Sequence, residues 1–299
     1  MNKHKKLAAA LGLALSLGVG FASPAMADPV EDGIEVSVKV AQSVVDWTKG
    51  SSSDVTAVGI GMPGNRGTAM ARRGAVMDAQ RNLLEIIKGV SVNSESTMED
   101  LYVTSDIVKT RVDGVLKGAQ IVEEGQNPDG SYFVKMRVPL YGSTGSLASA
   151  ALPAIRPETE KPVPPPVVTK PTISKEEVKA VQSANYTGVV VDASSLGLAP
   201  TFSPIIYDTN GRAVYGISNI ESSVAINSGM VGYANSLENA TSGSRAGANP
   251  LVVTAVEVRG GKNSSNPVNV VVSVEDADRI LKANETGGFL SSGAVMFVK

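Results

Sequence analysis

Cysteine is absent from the 299 residues, and histidine occurs once, as His4. Without cysteine there are no disulfides, no thiol nucleophile and no lipid attachment at an N-terminal cysteine. Stability must come from packing. Aromatic residues make up 4% of the chain, which leaves few platforms on which bases or sugars stack. An excess of positive charge is also missing. Lys and Arg number 27 against 29 Asp and Glu, so the chain has no electrostatic footprint for nucleic acid or anionic lipid.

Residues 1–27 have the layout of a secretory signal. Lys3, Lys5 and Lys6 form a basic head, Leu7 to Phe21 an apolar run, and Ala25-Met26-Ala27 a small-x-small cleavage pattern. The run is short for a bilayer span, and no stop-transfer segment follows it. The expectation is cleavage before Asp28 and release without a transmembrane segment. Cleavage removes His4 and three lysines, leaving 24 basic residues against 29 acidic ones. Chemistry in the mature chain would have to come from carboxylates, Ser/Thr, Lys or Tyr.

The organisation expected is α+β. Residues 28–53 read as an N-terminal helical segment ending near Gly50, with Val36, Val40, Val44 and Trp47 at helical spacing and Trp47 as a core or edge anchor. An alternating stretch from Ile34 to Val40 also suits a strand. Residues 54–141 read as one module in the order β-α-β-α-β-β, a helix covering a mostly antiparallel sheet. Its strands are expected at 54–61, 90–96, 115–124 and 132–140. Its helix spans 68–88, with a stripe of Ala69, Arg72, Val76, Ala79, Leu83 and Ile86/Ile87, Thr68 as N-cap and Gly89 as a left-handed C-cap. Residues 98–110 read as helical, and Asn127-Pro128-Asp129-Gly130 as the turn of a hairpin. Residues 142–172 read as a linker. Seven prolines between 153 and 171 favour an extended, unpacked spacer. Residues 173–299 read as a second, β-rich α+β domain. Its strands are expected at 186–193, 204–208, 212–217, 251–258, 268–272 and 293–298, with a helix from 273 to about 284. Asp208-Thr209-Asn210-Gly211 is read as a hairpin turn, and 232–249 as a short helix with a loose loop or a mobile segment.

Few constellations point to chemistry. Gly59-x-Gly61-x-x-Gly64 lies between a strand and a helix, the outline of a dinucleotide fingerprint. Pro63 and Asn65-Arg66 interrupt the turn, the acid after the next strand comes late, and no βαβ repeat follows. It reads as a structural glycine turn. Glu123-Glu124 and Asp276 with Asp278 are carboxylate pairs, but adjacency in sequence does not place two acids across a cleft. They read as a solvated hairpin edge and a helix first turn. Ser174-Lys175 sits beside the proline-rich stretch, and Asp208-Thr209-Asn210-Gly211 is only a fragment of a calcium loop. Glycosylation sequons occur at Asn185, Asn239, Asn263 and Asn284. No catalytic, cofactor-binding or metal-ligating residue is singled out, and no cofactor is implied.

Several runs carry a resemblance. They are Ala57-Val58-Gly59-Ile60-Gly61, Ala71-Arg72-Arg73-Gly74-Ala75, Asp78-Ala79-Gln80-Arg81-Asn82-Leu83, Gly89-Val90, Gly118-Ala119 and Asp129 through Val138. Residues 57–141 thereby resemble the bacterial LPP-twenty lipoprotein family, related to the N-terminal domain of flagellar assembly protein T. The resemblance implies an envelope protein, in some members one that supports flagellar or surface assembly. The family has no catalytic residues to carry over. The chain departs from it in lacking a lipobox cysteine, so no covalent lipid anchor is expected.

The reading is an exported, non-enzymatic bacterial envelope protein, periplasmic, extracellular or peripheral to the outer membrane, that acts through envelope protein partners. The alternatives are a hydrolase using carboxylates in residues 173–299, or a peptidoglycan- or carbohydrate-binding module with Tyr207, Tyr215 and Tyr233 lining a face.

Overall fold

The computed structural model describes residues 44–64, 67–157, 159–243 and 245–299. The export segment and most of the expected N-terminal helical segment lie outside those residues. The fold is α+β, built among the described residues on three four-stranded sheets.

Small residues set the geometry of the first sheet. Helix α1 (Thr68–Lys88) buries Ala71, Ala75, Ala79, Leu83 and Ile87, one residue per turn. Across from the alanines, strand β2 (Asp54–Gly61) presents Gly59 and Gly61. A Cβ on Gly59 would collide with the backbone of Ala75 and Ala79, and one on Gly61 with that of Ala71. Helix and strand therefore meet backbone to backbone, which only glycine against alanine permits. The order in the sheet is β1-β2-β4-β3, antiparallel throughout, with β1 at Val44–Asp46, β3 at Gln120–Gln126 and β4 at Tyr132–Pro139.

Residues 44–46 were expected in a helix and instead form β1, because Val44 to Asp46 find hydrogen-bonding partners in Thr56 to Asp54. Past Thr56 the same edge of β2 is closed by α1. Asp78 Oδ2 accepts from Ile60 N at 3.0 Å, and Asn82 Nδ2 donates to Val58 O at 2.7 Å. Side chains one helical turn apart thus stand in for a neighbouring strand and protect an exposed edge. The buried stripe also differs from the expected one, since Ala69 and Arg72 are exposed. Gly67, with φ 73°, holds the N-cap position without a side-chain bond, and Gly89 caps in the right-handed region at φ −72°.

Residues 90–96 are not a strand. Asn93 Oδ1 accepts from Glu95 N and Ser96 N and folds the segment into a turn. The carbonyls of Ser91 and Val92 accept from Phe202 and Ser203 in the C-terminal half. Helices α2 (Met98–Thr104) and α3 (Asp106–Lys117) follow, capped by Thr97 and Ser105. The extended stretch expected from Val115 therefore starts at Gln120.

The expected linker holds a helix, α4 (Leu147–Ile155). Ser146 and Ser149 form its capping box, and Leu147, Ala148, Ala150, Ala151 and Leu152 are buried. The proline-rich stretch beyond it contains no regular helix or strand among its described residues, but it is bonded to the C-terminal half. Buried Arg156 donates to the carbonyls of Ile217 and Ile220. Val163 N donates to Ser218 O at 2.6 Å, and Asn219 Nδ2 donates to Val163 O at 2.9 Å. Val168 and Ile173 are buried.

The C-terminal half starts with helix α5 (Lys175–Ser183) and has two sheets. One is wholly parallel, in the order β8-β12-β5-β9 (Gly232–Ala234, Val295–Val298, Gly188–Asp192, Pro250–Thr254). The other is mixed, in the order β10-β11-β6-β7 (Glu257–Arg259, Asn269–Val272, Ile206–Asp208, Ala213–Tyr215). Continuous apolar runs such as Val189-Val190-Val191 fit strands buried on both faces. Helices α6 (Ser222–Ser228), α7 (Leu237–Ser242) and α8 (Val274–Gly287) complete it.

The two halves share one core. Trp47 packs edge-on against Tyr141 of its own half, and against Phe202 and Tyr233 of the other at centroid distances of 5.1 and 5.8 Å. Tyr233 in turn meets Phe297. Five aromatic residues of an aromatic-poor chain thus form one connected cluster at the seam, where edge-to-face contacts add to area burial.

Candidate functional site

The glycine turn singled out in the sequence does no cradling at Gly59 and Gly61, since both are pressed against α1. Of the motif, Gly64 alone takes positive φ, at 48°. A phosphate approaching the backbone of Gly59 or Gly61 would meet the helix first.

The carboxylates flagged in the C-terminal half are engaged in structure. Asp276 accepts from Ser273 Oγ and Arg279 at the start of α8. Asp278, two residues on, is buried and receives Arg212 Nη2 at 2.7 Å and Thr172 N at 2.6 Å. Asp208 is buried too, and accepts Arg212 Nε at 2.8 Å together with the amides of Asn210 and Arg212. Arg212 therefore bridges the hairpin turn to α8, and Asp278 anchors the end of the proline-rich stretch. Two acids on one guanidinium form a lock rather than an acid–base pair across a cleft. Of the other pair, Glu124 binds Arg72 at 2.7 Å on the outer edge of the first sheet. Ser174 is the N-cap of α5, its hydroxyl taken by Glu177 N. The three tyrosines do not share a face. Tyr215 and Tyr233 are buried, and Tyr207 lies under the Arg259 guanidinium, 3.8 Å from its ring centroid.

A cleft of about 550 Å³ lies on the seam. The N-terminal half contributes the turn Thr48–Ser51. The C-terminal half contributes Ser228, β8 with Asn235, Asn239 of α7, and Arg245. Gly232 and Met296 form part of its wall.

Arg245 is positioned by the loops around it. Its Nε donates to Gly293 O at 2.9 Å, and its two terminal nitrogens donate to Ser228 O and Gly229 O, both at 2.5 Å. The arginine closes the C-terminus of α6, where a cation favours the exposed carbonyls. Glycine makes room for it. A Cβ on Gly232 would strike the Arg245 stem, and Gly229 and Gly293 take φ of 79° and 68°. Among the described residues no carboxylate pairs with Arg245. Burial pulls its guanidinium below the usual arginine range, against the opposing effect of the nearby phenols of Tyr215, Tyr141 and Tyr233. Burial in turn pushes those phenols up, so they stay neutral beside it.

At the rim, Lys49 Nζ lies 3.0 Å from Asp46 Oδ2, and that contact raises the ammonium above its usual range. Partial burial works against ionisation of Asp46, but hydrogen bonds from Thr48 and Lys49 outweigh it and hold the carboxyl below the usual range. Asp46 is not among the residues that line the cleft, and the charged residues among the described lining are Lys49 and Arg245, both cations. Sequence reasoning missed this site. Arg245 lies in a small-residue stretch without periodicity, and its partners are carbonyls, which leave no trace in side-chain pattern.

Among the described residues no helix is long and apolar enough to cross a membrane. Residues 188–299 match the family model described as Treponema pallidum Tp0624, second domain. The matched stretch runs from the first residue of β5 to the last residue of the chain, and so includes the cleft residues from Ser228 to Met296 but not Thr48–Ser51. No curated protein matches the chain.

Proposed function

We propose that the chain is an exported, non-enzymatic protein of the bacterial cell envelope that acts through contacts with other envelope proteins, in envelope, surface or flagellar-type assembly. The observation that carries this reading is the engagement of the C-terminal carboxylates. Asp208 and Asp278 close on Arg212, and Asp276 is held by the Ser273 N-cap and Arg279, so the carboxylates singled out for a hydrolase are committed to structure. The resemblance of residues 57–141 to the LPP-twenty family supports the envelope setting. The layout of residues 1–27 supports export.

The face of the first sheet that no described helix covers supports a contact role. There Val44, Ile60 and Val122 are exposed, with Asp54, Lys135 and Arg137 among them. Mixed apolar and charged composition of this kind marks contact surfaces. A photo-crosslinker at Ile60 or Val122, in intact cells, tests the reading. Discrete adducts from these positions, lost when Arg137 is reversed to Glu, are expected. An absence of adducts from this face would count against the contact role. Turnover of envelope glycans or peptides by the purified protein would replace it with the hydrolase.

A further inference from the structure

The seam cleft has the features of a ligand site, and we propose that it binds a small hydroxylated molecule carrying one oxyanion, of the size of a sugar acid or sugar phosphate. The inference does not rest on the contact reading.

Size comes first. A cleft of about 550 Å³ falls within the range of small-molecule pockets, which form preferentially where two units of a fold meet. Charge comes second. Among the described residues, both charged ones in the lining, Lys49 and Arg245, are cationic. Burying a cation without a counter-ion is costly, and carbonyl dipoles offset only part of that cost. An anion in the cleft supplies the missing charge. Donor capacity comes third. A guanidinium has five N–H groups and Arg245 uses three on carbonyls. An ammonium has three, and Lys49 shares one contact with Asp46. Donors therefore remain on both.

The rest of the lining sets the body of the ligand. Thr48, Ser51, Ser228, Asn235 and Asn239 offer hydroxyls and amides. These groups both donate and accept, which suits a ring of hydroxyls better than a hydrocarbon. The backbone of Gly232 and the Met296 side chain leave a small apolar patch for the ring itself.

Calorimetric titration of the full chain with D-glucuronate, glucose 6-phosphate and neutral D-glucose tests the proposal. Each compound presents a similar ring, so the comparison isolates the charge. At least one anion should bind, glucose should not, and added salt should weaken the binding. The tighter of the two anions identifies the group as carboxylate or phosphate. Lys49→Ala and Asn239→Ala should each weaken binding, the former by about tenfold, the loss of one charge-assisted hydrogen bond. Both positions are exposed, so the variants keep the fold. The proposal fails if neither anion binds, if glucose binds as well as they do, or if both variants bind as tightly as the unaltered chain.

Discussion

The α1–β2 contact and the seam pack the same chain by opposite means. At the first, Ala71, Ala75 and Ala79 face Gly59 and Gly61, and two backbones touch. At the second, Trp47, Tyr141, Phe202 and Tyr233 interlock. Small residues make an interface that accepts no added atom. Large residues make one that tolerates no removal. The first joins elements adjacent in sequence and fixes a module. The second joins residues separated by much of the chain and fixes how the halves sit on each other.

The largest effect is expected from filling the first interface. Gly61→Val would drive a branched side chain into the backbone at Ala71. Ordinary overpacking costs about 1–3 kcal/mol because side chains can yield. Here the obstacle is a helix backbone, so the loss should exceed that range and show as insoluble or molten protein by near-UV circular dichroism. A folded Gly61→Val variant of ordinary stability would mean that α1 stands off the sheet.

Emptying the second interface ranks next. Trp47→Ala should cost about 3–5 kcal/mol, measured by denaturant unfolding. The seam also changes what a nick in the proline-rich stretch does. Val167 is exposed there, and protease should cut near it. The cut fragments should stay associated in size exclusion, because Trp47 and Phe202 hold them, and should separate only when Trp47→Ala is added. Fragments that part in the unaltered protein would make the seam a weak contact.

How much of this was legible in sequence follows the same division. β2 and α1 were read with the boundaries the structure gives them, since local periodicity and glycine punctuation specify both. The hairpin at Asn127–Gly130 and the turn at Asp208–Gly211 were equally plain, because turn chemistry is local. What escaped depends on distant partners. Residues 44–46 are a strand because β2 offers an edge. Residues 90–96 leave the sheet because Phe202 and Ser203 take their carbonyls. Helix α4 did have a local signature, the Ser146–Ser149 capping box before an apolar run, which the neighbouring prolines obscured. The cleft is the extreme case. It needs residues from both halves, and the spacing from Lys49 to Arg245 means nothing until the seam has formed.

A smaller effect sharpens the role of α1 as an edge cover. Asn82→Ala removes the donor to Val58 O and leaves that carbonyl without its partner. An orphaned acceptor of this kind costs about 1–3 kcal/mol, and the low end applies because Asn82 is only part-buried. Hydrogen exchange should quicken at Ile60, whose amide loses the neighbouring cover while keeping Asp78. Unchanged exchange there would remove the edge-capping role.

The smallest effect belongs to the outer face of the same helix. Glu85 lies on α1 between the buried Leu83 and Ile87, yet its side chain is 66% exposed and its one ion-pair contact among the described residues is to Lys88 at 3.7 Å. An exposed pair at that spacing contributes only tenths of a kcal/mol and is screened by salt. Lys88 would still lie 4.0 Å from Glu99 if Glu85 were removed. Alanine is also the better helix former. Glu85→Ala should therefore shift stability by less than about 0.5 kcal/mol, two positions away from Leu83→Ala, expected to cost about 2–5 kcal/mol because Leu83 is fully buried. Equal losses at the two positions would mean that α1 is rotated about its axis, and with it the alanine stripe that sets the whole contact.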